Sequence, residues 1–276
     1  MNLQDYAKSF IPHLEKRYKV NLSNPRTLND KLNWLKVYDC TPLKAFCADK
    51  ITLRGYLKYK LHNILYDTIP IIKTYEKASD INFDELPSKC VFKCNHGSSY
   101  NIVYEKGTNS EASIISKLNE WMKVDYGNEH QQVELHYDVI PKRILVEPFV
   151  SIKTDYKFWC FNGVPKFFVV VADNGPMNYF GIEPDIIGIR CTPLNIARRG
   201  HLPLAKVDLI ESNYIRYMYD RAKILCEDFK FVRVDFSVGV IPHHIYITEL
   251  TFIPGSGCIH YTNPTTDLEL GKLLQL

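Results

Sequence analysis

The strongest chemical signal in the sequence is an arginine and two carboxylates near the C-terminus. Arg233-Val234-Asp235 and Glu249-Leu250-Thr251 each sit in an apolar, strand-like run. Residues two apart on a strand share a face, so Arg233 stands with Asp235 and Glu249 with Thr251. If the two runs pair as a hairpin, Asp235 and Glu249 meet side by side. Like charges at that distance repel unless a cation or a proton lies between them. The neighbours Phe231, Val232, Val234, Phe236, Ile247 and Leu250 leave the site half-buried, which raises that cost. Oxygen-only ligands of this kind suit Mg2+, which also favours substrate phosphates as partners. The alternative is solvated charge on an exposed hairpin face. Pro254-Gly255-Ser256-Gly257 follows at once and favours the metal, because such a loop adds backbone N–H groups for an anion.

Two further stretches are weaker in isolation. Val91-Phe92-Lys93-Cys94-Asn95-His96-Gly97-Ser98-Ser99 places a lysine at the end of an apolar strand, before a small-residue loop. Such a loop lets N–H groups approach phosphate oxygens while the lysine supplies a point charge. It is not a Walker A loop, since G-x-x-x-x-G-K-[ST] is absent, and an exposed loop after an edge strand explains it alone. In Ile144-Leu145-Val146-Glu147-Pro148-Phe149-Val150 an acid ends a strand and proline turns the chain away. A backbone hinge there suits an adenine edge, with Glu147 on a ribose hydroxyl; a strand simply stopped by Glu-Pro fits equally.

The elements that must position these residues can be read from spacing. Thr27-Leu28-Asn29-Asp30 opens a helix through Leu35, with Leu28, Leu32 and Leu35 at helical spacing. A second helix is expected from Ala48-Asp49-Lys50 through Leu57. Strands are expected over Cys90–Cys94 and Arg143–Val150, and the apolar run Phe167–Ala172 reads as strand. Tyr156–Phe161 and Pro165–Val171 form a hairpin whose Asn162-Gly163 supplies the positive φ of a tight turn. A helix over Ser212–Glu227 precedes the hairpin Phe231–Phe236 and Ile245–Phe252. Helices first and antiparallel hairpins afterwards make the fold α+β.

Composition excludes several classes. The 276 residues are 46% hydrophobic and 24% charged, which is globular and neither disordered nor low-complexity. Eight cysteines without a C-x-x-C pair read as reduced thiols of a cytoplasmic protein. No signal peptide and no apolar stretch approaching membrane-span length is expected. Through residue 80 there are 14 Lys/Arg against 8 Asp/Glu; the remainder has 20 against 23. The basic N-terminal part is a solvated helical face or a surface for an anionic partner, including the inner face of a membrane. No arginine-rich run or nucleic-acid motif is present, so no nucleic-acid partner is expected.

Taken together, these segments resemble the ATP-grasp fold of carboxylate–amine ligases, and most closely the TupA-like ATP-grasp family, associated with teichuronopeptide and other cell-surface polysaccharide synthesis. The resemblance spans about residues 30 to 272. It is carried by Asp49-Lys50, Leu86-Pro87 with Val91 to Ser98, Val146-Glu147, Asp155 to Gly163, Phe231 to Asp235, Glu249 to Phe252 and Pro254 to Gly257. It implies two α+β lobes gripping ATP, over 85–150 and 151–276, after a reduced, mostly helical region over 1–84. It also implies roles. Lys93, with Lys50 as a second lysine, contacts the adenine or α-phosphate. His96, Gly97, Ser98 and Ser99 form a lid over the phosphates, and Lys157 is a phosphate contact. Glu147, Pro148, Phe149 and Val150 form the adenine hinge. Asp235 and Glu249 hold Mg2+, with Thr251 standing where many ATP-grasp ligases carry Asn. Arg233 stabilises an acyl-phosphate, and Gly255, Ser256 and Gly257 face phosphate or substrate.

The implied reaction is ATP-dependent amide formation, joining a carboxylate-bearing glycan or sugar precursor to a small amine. One rival is a glycosyltransferase of surface-polysaccharide synthesis. Many of those hold a metal with D-x-D, yet none of the 17 aspartates has another two positions away. The other rival, a non-catalytic nucleotide sensor, has no need of Arg233, Asp235 and Glu249.

Overall fold

In a computed structural model, the described residues are 3–63, 67–127, 132–171, 175–185, 188–204, 206–240 and 244–276. Five short helices come first: α1 (Leu3–Lys8), α2 (Ile11–Tyr18), α3 (Leu28–Tyr38), α4 (Pro42–Ala48) and α5 (Leu53–Leu61). The α3 start is a capping box, in which Thr27 Oγ1 accepts from the Asp30 N–H and the Asp30 carboxylate accepts from the Thr27 N–H, both at 3.0 Å. The helix expected from Ala48 is instead two helices with a turn between them. Pro42 starts α4, and the Asp49 carboxylate ends it by accepting from the Ile51 N–H (2.8 Å) and from Asn95 Nδ2 (2.9 Å). Side-chain competition for backbone donors, which favours aspartate at turns, overrides the helical spacing there.

A four-stranded antiparallel sheet follows, in the order β1–β4–β2–β3, from β1 (Lys73–Tyr75), β2 (Lys89–Cys94), β3 (Asn101–Glu105) and β4 (Ile144–Pro148). Helix α6 (Glu111–Met122) covers it, burying Ile114 and Leu118 with Phe83, Phe92 and Tyr104. The β4 strand is shorter at both ends than Arg143–Val150.

The larger sheet has six antiparallel strands in the order β10–β9–β5–β6–β7–β8. They are β5 (Ile152–Phe161), β6 (Val164–Val171), β7 (Met177–Pro184), β8 (Ile189–Leu194), β9 (Phe231–Gly239) and β10 (Ile245–Thr251). Asn162 and Gly163 make the β5–β6 turn with φ of 47° and 76°, as a two-residue turn with positive φ at both positions requires. Ala172, the expected end of the β6 run, lies outside the described residues. Helix α7 (Ser212–Leu225) stops two residues before Glu227 and packs Ile215, Met218 and Ala222 on this sheet. Leu28, Leu32 and Leu35 of α3 share the same core. The C-terminal helix α8 (Thr266–Gly271) is tied to α3 by Asn29 with Asp267, and by Lys31 Nζ donating to the Gly271 and Leu274 carbonyls.

Candidate active site

The proposed carboxylate pair forms through a β-bulge. From Ile245 to Ile247, β10 pairs with Val238 to Phe236; from Glu249 onward the register has shifted by one residue. The extra residue is Thr248, whose Oγ1 donates to the Asp235 carbonyl (3.2 Å). A bulge places two residues opposite one. Without it Glu249 would face Val234 and point into the core. With it, Glu249 faces Asp235 and Thr251 faces Arg233. On the other side of β9, Lys157 of β5 lies opposite Asp235. Glu249, Asp235 and Lys157 thus form one row across three strands.

Asp235 is only 3% exposed, and two cations hold it. Arg233 Nε donates to Oδ1 (2.6 Å), and Arg233 Nη2 donates to Oδ2 (2.5 Å) and to Thr251 Oγ1 (2.9 Å). Lys157 Nζ donates to Oδ2 (3.0 Å). Burial acts to raise the Asp235 carboxyl, but Arg233 and then Lys157 outweigh it and hold the group below the usual carboxylate range. Glu249 accepts no hydrogen bond and has no ion-pair partner among the described residues. No three His, Cys, Asp or Glu side chains converge as a complete metal cage among the described residues. One committed and one free carboxylate, with a hydroxyl beside them, fit a hard cation that keeps waters and phosphate oxygens in its shell, as Mg2+ does.

Three cavities run together along this face. The first, small, is lined by Lys50, Arg54, Leu57, Ile69, Lys93 and Glu147 among others. Lys50, Lys93 and Thr248 carry it into a second of about 240 Å3, where Ser98 and Ser99 face Lys157, Asp235 and Glu249. Ser98 and Glu249 carry that into a third of about 220 Å3, walled by Tyr126, Glu134, Tyr137, Arg233, Gly255 and Ser256 among others. Both sheets and helix α5 line the resulting cleft.

At the first end Glu147, 5% exposed, is shared. Its Oε1 accepts from Arg54 Nη2 and its Oε2 pairs with Lys93 Nζ, both at 2.6 Å. Lys50 Nζ donates to the Gly97 carbonyl. Burial lowers the Lys50 ammonium from its ordinary value, and Glu249 is the strongest opposing charge.

A family model described as TupA-like ATPgrasp matches residues 30–275. The chain belongs to the TupA-like ATP-grasp family. Among solved structures it resembles D-alanine–D-alanine ligase from Bacillus anthracis, at 16% identity and a TM-score of 0.47, over 76% of this chain and 58% of that one. The Helicobacter pylori D-alanine–D-alanine ligase gives 18% identity and a TM-score of 0.47, over 83% and 59%. An ADP complex of N5-carboxyaminoimidazole ribonucleotide synthetase gives 14% identity and a TM-score of 0.41, over 91% and 57%. The chain spans less than two thirds of the length of each of these proteins. No curated protein matches it in sequence.

Within this TupA-like ATP-grasp chain, the structure brings together Lys50, Lys93, Ser98, Ser99, Glu147, Lys157, Arg233, Asp235, Glu249, Thr251, Gly255 and Ser256. Other expected residues lie elsewhere. His96 is 1% exposed and lines none of the three cavities. Its Nε2 donates to the Trp121 carbonyl (3.2 Å), its Nδ1 has no partner, and burial lowers its pKa to about 4. Gly97 is needed for close approach, since a Cβ there would come within 2.7 Å of the Tyr126 ring. Pro148, Phe149 and Val150 line none of the three cavities, and Phe149 is exposed under Lys89 instead. Gly257 is buried against Asn33, and the Ser256 N–H is already donated to the Ile253 carbonyl.

Sequence reasoning missed Arg54, Glu134, Tyr137 and Lys36. Lys36 is 3% exposed and fixes the Pro254–Gly257 loop by donating to the Ser256 carbonyl (2.9 Å) and to the Gln132 carbonyl (2.5 Å). Burial brings its pKa down to about 8. Only its position in α3, one residue after the apolar Leu35, could have flagged it.

Proposed function

We propose that the chain is an ATP-dependent carboxylate–amine ligase that works through an acyl-phosphate. Its carboxylate would be a uronic acid of a cell-surface polysaccharide or precursor, and its acceptor a small amine. The observation that supports this reading best is the continuity of the cleft. Cations line one end, two adjacent carboxylates the middle, and Arg233 with the Gly255–Ser256 loop the other end. This order matches the demands of an adenine nucleotide, its phosphates and a second substrate laid end to end.

In this reading Lys50 and Lys93 hold the α- and β-phosphates as point charges. Ser98 and Ser99 close over them from the small-sheet side. Asp235 and Glu249, with Thr251 beside them, would hold Mg2+, whose chemistry when bound is to neutralise phosphate charge and orient the γ-phosphoryl group. Lys157 would leave Asp235 for phosphate. The substrate carboxylate attacks the γ-phosphoryl and ADP leaves, while Arg233, fixed by Asp235 and Thr251, stabilises the developing charge without reorganising. The amine, once its ammonium has given up a proton, attacks the acyl carbon and inorganic phosphate leaves. No protein nucleophile is required. We assign 85–150 and 151–276 as the two lobes, with 1–84 as the reduced helical region. Dependence on ATP favours the cytoplasm, and the basic N-terminal segment is the part suited to an anionic membrane face. No helix among the described residues is long and apolar enough to cross a membrane.

A thermal-shift comparison tests the reading. Mg·AMP-PNP should raise the melting temperature, with stabilisation growing as RT ln(1 + [L]/Kd). Stabilisation by UDP-glucuronate and not by the ATP analogue would replace the ligase with a glycosyltransferase. A mass-spectrometric screen of uronic acids against amines would then identify the product.

A further inference from the structure

The third cavity carries more charge chemistry than phosphate transfer needs. Its one lining cation, Arg233, already donates through Nε and Nη2 to Asp235 and Thr251. Against it stand two carboxylates, Glu249 and Glu134. Glu134 is 7% exposed, and its Oε1 accepts from Ser256 Oγ at 2.7 Å. The same hydroxyl lies 3.0 Å from Gln132 Oε1 but has one proton to give, and the shorter contact takes it. Oε2 of Glu134 has no hydrogen-bond partner among the described residues. Two aromatic walls complete the cavity: Tyr126 and Tyr137 meet edge to face with centroids 5.0 Å apart.

We infer that this cavity is the amine subsite and that Glu134 anchors the incoming primary ammonium group through Oε2. The inference rests on the ligase reading and names a residue which that reading did not use. An acid with one free oxygen binds an ammonium by a charge-assisted hydrogen bond. Tyr126 and Tyr137 wall the same cavity, and a tyrosine ring presenting its face to the ammonium would add cation–π attraction. A carboxylate in place of the ammonium would meet Glu134 with the same sign and be repelled. Burial raises the Glu134 carboxyl, and Lys36 behind it works against that. An arriving ammonium supplies the counter-charge on the cavity side. The position is also right, because the subsite contains Arg233 and shares Ser98 and Glu249 with the cavity in which the phosphates would lie.

The test uses saturation-transfer NMR on the full chain with Mg·AMP-PNP present. Ethanolamine, putrescine, glycine and lysine are the probes, with ethylene glycol and acetamide as neutral controls. At least one amine should give signal while the controls do not. Glu134→Gln should weaken it about tenfold, the scale of one lost charged contact. Glu134→Asp, which keeps the charge, should restore part of it and serves if the glutamine variant fails to fold. The thermal shift from Mg·AMP-PNP should be equal in all three proteins, which a merely structural role for Glu134 would not give. Amines silent on the wild type, or bound equally by the variants, overturn the inference. Loss of the nucleotide shift in the wild type overturns the ligase reading instead.

Discussion

At the small-sheet end of the cleft one buried acid, Glu147, is shared by two cations, Arg54 and Lys93, with Lys50 close by. At the large-sheet end Asp235 is likewise shared by Arg233 and Lys157, yet Glu249 and Glu134 stand near it with no ion-pair partner among the described residues. One end carries surplus positive charge and the other surplus negative charge. In the reading proposed above, the first suits an anion and the second suits cations: a metal ion beside Asp235 and an ammonium beside Glu134. Each end also buries one neutral histidine, His96 below the Ser98 loop and His136 against Phe252.

The comparison can be broken in four places. Arg233→Ala has the largest expected effect. It leaves Asp235 buried with Lys157 alone, so urea denaturation should show a loss of about 3–5 kcal/mol, with ADP release lost as well. A variant as stable as the wild type would mean that Lys157 suffices. Glu249→Gln should do the opposite at the same end. Its free carboxylate contributes little, so stability should stay within about 0.5 kcal/mol, while ADP release falls roughly 10²–10³-fold. Unchanged turnover would remove Glu249 from the metal site.

The histidines give the third effect. His96 has its pKa lowered by burial to about 4 and His136 to about 3, from 6.5. Their folded-state values lie below the unfolded one, so their contribution is complete above pH 6.5 and is lost as pH falls towards 4. Between pH 7.5 and pH 5 that amounts to about 2 kcal/mol per histidine. Chemical denaturation at pH 7.5 and pH 5 should show the drop, and His96→Gln should reduce it; an identical slope would clear His96. The smallest effect belongs to Lys93→Ala. Glu147 keeps Arg54, so the fold should hold while the Kd for Mg·AMP-PNP rises about tenfold by calorimetry. An unchanged Kd would place the phosphates elsewhere.

Local patterns in the sequence were enough for much of this. The Thr27–Asp30 capping box, the Asn162-Gly163 turn and the alternation of Arg233 with Asp235 all follow from interactions between near neighbours, and each is seen in the structure. The helix expected across Ala48 to Leu57 is interrupted for the same reason in reverse. The helical spacing was visible, but the Asp49 side chain binds Ile51 locally and Asn95 from afar.

What only the tertiary structure decided is who faces whom. The Thr248 bulge turns Glu249 out of the core and onto Asp235, and no strand propensity marks it, because threonine is an ordinary strand residue. Arg54 reaches Glu147 across 93 positions of sequence, and Ser256 reaches Glu134 across 122. Such pairings are set by which elements pack together and in which register, and close packing admits one arrangement where the sequence pattern allows several. The sequence determined that two carboxylates and an arginine would sit on neighbouring strands, with a lysine at the end of another strand. The packed fold decided which acids keep a cation and which are left free to take a metal ion or an amine, because that depends on distances no local pattern encodes.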